Sequence, residues 1–184
     1  AGLYNGGMAE PGTGYRIKIE ETGSGVSDSS DEAFTLANAP GVTILLVDSR
    51  DQGLAGGTVT YYDSGWKTAG TTDENGRLSI DLSPLKTYRF RMTYGGASID
   101  KIQDVSTDLT VVFQTENVGV YLKDSNGNPL DTGTVTYYAG GWKTIGTTVN
   151  GEVSHELLPL SYRFRMACGG ASIDKIQDVS TDST

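Results

Sequence analysis

The sequence predicts an all-β protein built from tandem β-sandwich domains behind a shorter β segment. Three observations predict it. Residues 88–108 read YRFRMTYGGASIDKIQDVSTD and recur at 162–182 as YRFRMACGGASIDKIQDVSTD, differing only where Thr93-Tyr94 becomes Ala167-Cys168. The chain has 184 residues with 25 Gly and 10 Tyr, beside frequent Thr and Val, a composition of strands joined by tight turns. Apolar residues alternate with period two throughout, and no helical period is visible. Near-identical tandem copies point to spacing, valency or assembly.

Residues 1–40 do not match the repeat. In residues 14–20 (GYRIKIE), Tyr15, Ile17 and Ile19 alternate with Arg16, Lys18 and Glu20, which predicts a half-buried strand. Residues 24–32 read as a polar turn and 33–36 as a second short strand, with Ala39-Pro40 as a domain boundary. Two or three strands are too few to be stable alone.

The first repeat opens with strand one, where Val42, Ile44 and Leu46 share a face. After a turn at 48–53, residues 57–62 (GTVTYY) form strand two, with Val59 and Tyr61 inward and Tyr62 outward. Asp63-Ser64-Gly65 is a hairpin turn into strand three, residues 66–71. Asn75-Gly76 is a strong turn signal, after which Leu78, Ile80 and Leu82 alternate until Pro84. Tyr88, Phe90 and Met92 face one side of strand five and Arg89 and Arg91 the other. Gly95-Gly96 turns the chain into residues 97–105, and 109–114 (LTVVFQ) is the closing strand. The second repeat starts at Val118, after the three-residue joint Thr115-Glu116-Asn117. The offset between copies is about 75 residues, the size of a small complete domain. It drifts only through single-residue deletions in turns, where deletions belong.

The pattern VDSxxxxLAGGTVxYY … GTTDENGxLxIDLxPLxTYRFRM resembles the prealbumin-like sandwiches known as collagen-adhesin B-type or carboxypeptidase-regulatory-like repeats. The resemblance covers residues 42–114 and 118–184. It implies stalks of secreted or cell-surface proteins, mostly bacterial, without enzymatic activity. Upstream, LYNGG (3–7), GTGYRIKIEE (12–21) and VSDSSDEAFTL (26–36) resemble the end of an Ig-like module of Ser/Thr-rich, glycosylphosphatidylinositol-anchored-type proteins, without the strands expected between LYNGG and GYRIKI. The expected organisation is an abbreviated Ig-like segment at 1–40, a β-sandwich at 41–116, and a second at 117–184 lacking its last strand. The fold class is thus all-β, tandem Ig-like or prealbumin-like sandwiches.

Several residues are weighed as sites. Some members of the resembled family carry an intramolecular Lys–Asn bond between first and last strands. Lys123 lies near that lysine position, but the first repeat has Val47 there and Lys123 alternates outward from Val118, Val120 and Leu122. Asp124, Asn126, Asn128 and Asp131 (DSNGNPLD) place oxygens at near-alternating positions, as calcium loops do. The first repeat has Arg50 and Gln52 in that loop and no bidentate Glu follows, so a turn explains the same residues. Tyr62 with Trp66, and Tyr138 with Trp142, flank equivalent hairpins and could stack on a sugar. Equally, each Trp could cap its own core or pack on a neighbouring domain. Arg89, Arg91, Arg163 and Arg165 make matching outward pairs that Asp100, Asp104, Asp174 and Asp178 could face, as solubility and register devices. Cys168 stands where the other copy has Tyr94, and a single cysteine excludes a disulfide framework. His155 replaces Ile80, a polar swap on a half-buried strand.

The net charge of −9 argues against nucleic acid as a partner, because phosphate binding needs a basic face. No apolar run approaches the roughly 18 residues that span a bilayer. No Ser/His/Asp order, phosphate loop or paired Cys suggests an enzyme, and no cofactor is expected. The expectation is a non-catalytic extracellular stalk or self-assembling filament subunit. The rival is a carbohydrate-binding module of a secreted enzyme or adhesin. LTVVFQ (109–114) has no counterpart after 178–182, while residues 1–36 supply strands without a domain of their own. That combination suggests head-to-tail strand donation into an open filament. A truncated chain explains the same mismatch equally well.

Overall fold

A computed structural model describes residues 12–20, 23, 25, 27–29, 32–36, 41–83 and 86–184. The LYNGG stretch, Ala39-Pro40 and Pro84 fall outside the described residues. All the described regular elements are strands, and the chain divides into two compact units, Ala1–Pro40 and Gly41–Thr184.

In the first unit, β1 (Gly12–Tyr15) pairs with β4 (Phe34–Leu36), and β2 (Lys18–Glu20) pairs with β3 (Ser27–Ser29), both antiparallel. This corrects two expectations. The strand expected over 14–20 is broken at Arg16-Ile17, and part of the expected polar turn is β3. A register shift lies between Gly12 and Tyr15, with Gly14 at φ 81°, and such a bulge re-aims the residues that follow. The predicted buried face does not form either: Ile17 and Ile19 are 60% and 70% exposed. Three- and four-residue strands in two-stranded sheets present too little surface to bury a face.

In the second unit the first sandwich uses β5 (Val42–Val47), β6 (Thr58–Tyr62), β7 (Trp66–Thr71), β8 (Arg77–Ile80), β9 (Thr87–Tyr94), β10 (Ala97–Asp104) and β11 (Thr110–Gln114). One sheet has the order β10-β9-β6-β7 and the other β11-β5-β8. All neighbours are antiparallel except β11, which runs parallel to β5 from Thr110↔Thr43 to Gln114↔Val47. Alternation then dictates the core. Val42, Ile44, Leu46, Val59, Phe90, Met92 and Val111 are fully buried, with Tyr88 and Phe113 nearly so.

The second sandwich repeats the larger sheet as β14-β13-β16-β17, from β13 (Thr134–Tyr138), β14 (Trp142–Thr147), β16 (Ser161–Cys168) and β17 (Ala171–Asp178). Opposite lies a two-stranded sheet of β12 (Glu116–Tyr121) and β15 (Glu152–Leu157). Glu116 and Asn117, expected in the joint, already belong to β12, so Thr115 alone separates β11 from β12.

Two devices recur in both sandwiches. The Thr72 hydroxyl accepts from Gly57 N–H and donates to Leu54 C=O, and Thr148 does the same with Gly133 and Leu130. These bonds satisfy a hydroxyl that would otherwise be buried at a cost. Gly76, at φ 71°, passes so close to β5 that a Cβ would sit 2.2 Å from Leu46 O. Only glycine fits that turn, which explains the Asn-Gly signal read from the sequence.

Candidate functional site

The most distinctive surface is a groove in the second sandwich. In the first, β11 covers the edge of β5 and sends Val111 and Phe113 into the core. In the second, no strand among the described residues takes that place beside β12. A cavity of about 430 Å³ lies there instead, lined by Val118, Val120, Leu122, Phe164, Met166 and Ile173, with Lys175 and Thr184 at its rim. The loss of cover is legible residue by residue. Phe90 and Met92 are fully buried, whereas their counterparts Phe164 and Met166 are 7% and 8% exposed. Ile99 is half-buried, whereas its counterpart Ile173 is 72% exposed.

The backbone beside the groove is arranged like the covered one. Thr43 N–H donates to Leu109 O at 2.8 Å, and its counterpart Gly119 N–H donates to Ser183 O at 2.9 Å. Lys101 Nζ donates to Val112 O at 3.2 Å, a contact that holds β11 from the opposite sheet. The counterpart of Lys101 is Lys175, whose charge lowers the Asp182 carboxyl after the Thr184 N–H and Gln177 hydrogen bonds have done so.

The sequence-predicted aromatic pairs come together in both repeats. Tyr62 and Trp66 meet edge to face with centroids 5.7 Å apart, and Tyr138 and Trp142 at 5.5 Å. Trp66 and Trp142 are 42% and 40% exposed. Sequence reasoning missed that the arginines lie on them. The Arg91 guanidinium sits 4.4 Å over the Trp66 ring, and Arg165 sits 4.4 Å over Trp142, each a cation–π contact. One carboxylate then gathers each arginine pair: Asp100 accepts from Arg89 and Arg91, and Asp174 from Arg163 and Arg165. Arg165 first and Arg163 second hold the Asp174 carboxyl down at about 2. Asp104 and Asp178, also expected to face the arginines, instead accept from Ser106 and Ser180 in the following turns. They stand opposite Thr87 and Ser161, out of register with the guanidinium pairs.

In the candidate calcium loop, Asp124 Oδ1 accepts from the Asn126 and Asn128 N–H groups at 2.8 Å, and Asn128 Nδ2 donates to Oδ2. Asp131 points elsewhere and accepts from Gly151 N–H. Asp48 makes the same pair of bonds, to Arg50 and Gln52 N–H, in the other repeat. Among the described residues no three His, Cys, Asp or Glu side chains converge as a metal site would require. Lys123 is exposed, with its ammonium 6.0 Å over Tyr121. His155 lies half-buried, its ring 6.0 Å from that of Tyr137. Cys168 is a free thiol, half-buried.

A contact between the two sandwiches completes the picture. Leu158, which aligns with Ser83, is fully buried in the core of the first sandwich. Glu156 accepts from Ser49 N–H, Ser49 Oγ and the Thr115 hydroxyl. The Tyr137 hydroxyl donates to Gly95 O at 2.8 Å. A Cβ on Gly96, at φ 85°, would lie 2.7 Å from Ala139 O, so the glycine turn admits the neighbouring hairpin.

No protein-family model matches the chain, and no curated protein does. Solved structures do. The Bacillus anthracis TIE protein aligns over 84% of this chain at 15% identity and TM-score 0.35, and the chain spans about a third (34%) of its length. A streptococcal ancillary pilin aligns over 87% of this chain and 69% of its own, at 16% identity and TM-score 0.33. The minor pilin of the Gram-positive pathogen Streptococcus agalactiae aligns over 76% and 91%, at 13% identity and TM-score 0.38.

Proposed function

We propose that the chain is a non-catalytic extracellular structural protein: a stalk or filament subunit that assembles head to tail by strand donation. One observation carries the reading: two near-identical sandwiches follow one another with Thr115 alone between β11 and β12, and the Tyr137 hydroxyl of the second donates to Gly95 O of the first. The donor is the N-terminal segment of another subunit. Ile17 and Ile19 of that segment are largely exposed. Donation from one subunit to the next is a heterologous contact, which propagates into an open filament unless the rotation closes it. The contact between the sandwiches suits such a stalk, because Leu158 and Glu156 tie the second to the first. The glycan reading has less support: arginine already covers one face of Trp66 and of Trp142.

The test is deletion of residues 1–36, followed by sedimentation and electron microscopy. Loss of concentration-dependent assembly is the expected result. A deleted protein that still polymerises, or an intact protein that stays monomeric at high concentration, rules out donation by this segment.

A further inference from the structure

We infer that β5 and β11, the first and last strands of the first sandwich, form a clamp that bears tension along the chain. The inference rests on the stalk reading above and deepens it. It names the element that carries a stalk's load and the direction in which that element resists.

Tension passed along the backbone enters this sandwich at Gly41 and leaves at Thr115, because residues 1–40 precede it and β12 follows. It pulls β5 toward its first residue, Val42, and β11 toward its last, Gln114. The two strands are neighbours and run parallel, in register from Thr110↔Thr43 to Gln114↔Val47. The two pulls are therefore opposed along one axis, and the strands must slide past each other before either leaves. The rungs of a parallel ladder are evenly spaced, so sliding loads them together. Here they run from Thr43 N–H donating to Leu109 O, at 2.8 Å, to Thr115 N–H donating to Val47 O, at 3.0 Å. An antiparallel β11 would instead be opened from one end, rung by rung. Side chains resist the slide as well. Ile44, Leu46 and Val111 are fully buried and Phe113 nearly so, and a slip of one residue takes their faces out of register with the core. Polar ties close the exit. The Gln114 amide donates to Asp48 O at 3.2 Å and to Asp51 Oδ1 at 3.1 Å. Glu156, from the second sandwich, accepts from Ser49 just past β5 and from the Thr115 hydroxyl just past β11, so one carboxylate grips both strand ends. From the opposite sheet, Lys101 Nζ holds the Val112 carbonyl at 3.2 Å.

The experiment is force-clamp spectroscopy on the full chain, in a Cys168→Ser background, with the load applied through either of two pairs of cysteine handles. Ala39→Cys with Asn117→Cys pulls β5 and β11 in opposite directions and shears the ladder. Ala39→Cys with Thr107→Cys pulls at the end where both strands begin and peels the same ladder. Asn117 and Thr107 are exposed, so neither handle disturbs the core. Forced unfolding is governed by the barrier, so lifetimes at one force compare the two directions. The sheared lifetime should exceed the peeled one by about tenfold or more, because shear breaks several hydrogen bonds at once where peeling breaks them singly. Gln114→Ala should shorten the sheared lifetime severalfold and leave the peeled one unchanged, since peeling starts from the other end. Equal lifetimes in the two directions would overturn the inference. So would a sheared lifetime that Gln114→Ala leaves as in the parent. The assembly reading fails separately. If shear outlasts peeling but the intact chain stays monomeric at high concentration, the clamp stands and assembly by strand donation falls. If deleting residues 1–36 abolishes assembly and the two lifetimes are equal, the clamp is wrong and the assembly reading stands.

Discussion

Alternating residues on β9 and β16 have opposite environments, and that contrast can be tested one side chain at a time. Phe90 is fully buried between the sheets, so Phe90→Ala should cost about 3–5 kcal/mol through lost transfer energy and a residual cavity. Arg91 is half-exposed, and Arg91→Ala should cost far less, because the pair with Asp100 and the stack on Trp66 lie at the surface. Denaturant titration of both variants checks this, and equal losses would mean the faces are reversed. Asp174 offers a pH test. Its folded value of about 2 lies below the ordinary aspartate value of roughly 3.9. A depressed carboxyl adds stability that is complete above the unfolded value and fades as pH falls towards the folded one. The contribution is therefore present at neutral pH and lost between about pH 4 and pH 2. Asp174→Asn should flatten the stability curve in that window, and carboxyl-detected NMR should place the Asp174 midpoint near 2.

At the scale of elements, several of the differences between the two repeats lie where the sandwiches touch. Ser83 becomes Leu158, Asp81 becomes Glu156, and the Asp63-Ser64 hairpin becomes Ala139-Gly140. In the first repeat Asp63 is engaged by Lys67 and Lys86. In the second the smaller, uncharged hairpin receives the Gly95-Gly96 turn. The substitutions thus turn a solvated end into a contact. Leu158→Ala should cost about 2–5 kcal/mol and lower the stability of the first sandwich, although the residue belongs to the second repeat. Spin labels at Glu74 and Thr144, in a Cys168→Ser background, should report one narrow distance distribution. That distribution should broaden in the Leu158→Ala, Glu156→Ala variant, where the tether and its hydrogen bonds are gone. A broad distribution in the parent would show that the joint is loose.

For the whole molecule, a net charge of −9 keeps copies apart unless a specific contact offsets the repulsion. The proposed strand donation would supply such a contact, since it would bury alternating side chains and add a hydrogen-bonded edge at once. The deletion of residues 1–36 has a milder equivalent that leaves chain length unchanged. Ile17→Asp combined with Ile19→Asp should abolish assembly to the same extent, while the melting of Gly41–Thr184 stays as in the parent. Assembly that survives the double variant, measured by sedimentation, would exclude these side chains as the inserted ones.

The sequence by itself determined what depends on neighbours along the chain. Period-two alternation placed Tyr88, Phe90 and Met92 inside, and Asn75-Gly76 marked a turn whose backbone tolerates no side chain. The same reasoning failed at 14–20, where alternation promised a buried face that two-stranded pairing does not supply. Only the tertiary structure decided which strands meet and which groups share a partner. The parallel lie of β11, the seating of Leu158 in the other core, and the stacking of Arg91 on Trp66 all join residues far apart in sequence. Ser49 and Glu156, hydrogen-bonded at 2.7 Å, are 107 residues apart. Local patterns select a face and a turn through steric and solvation rules that act over a few residues. Partner choice across such separations is set by the packing of two sheets as a whole, and no window of sequence contains it.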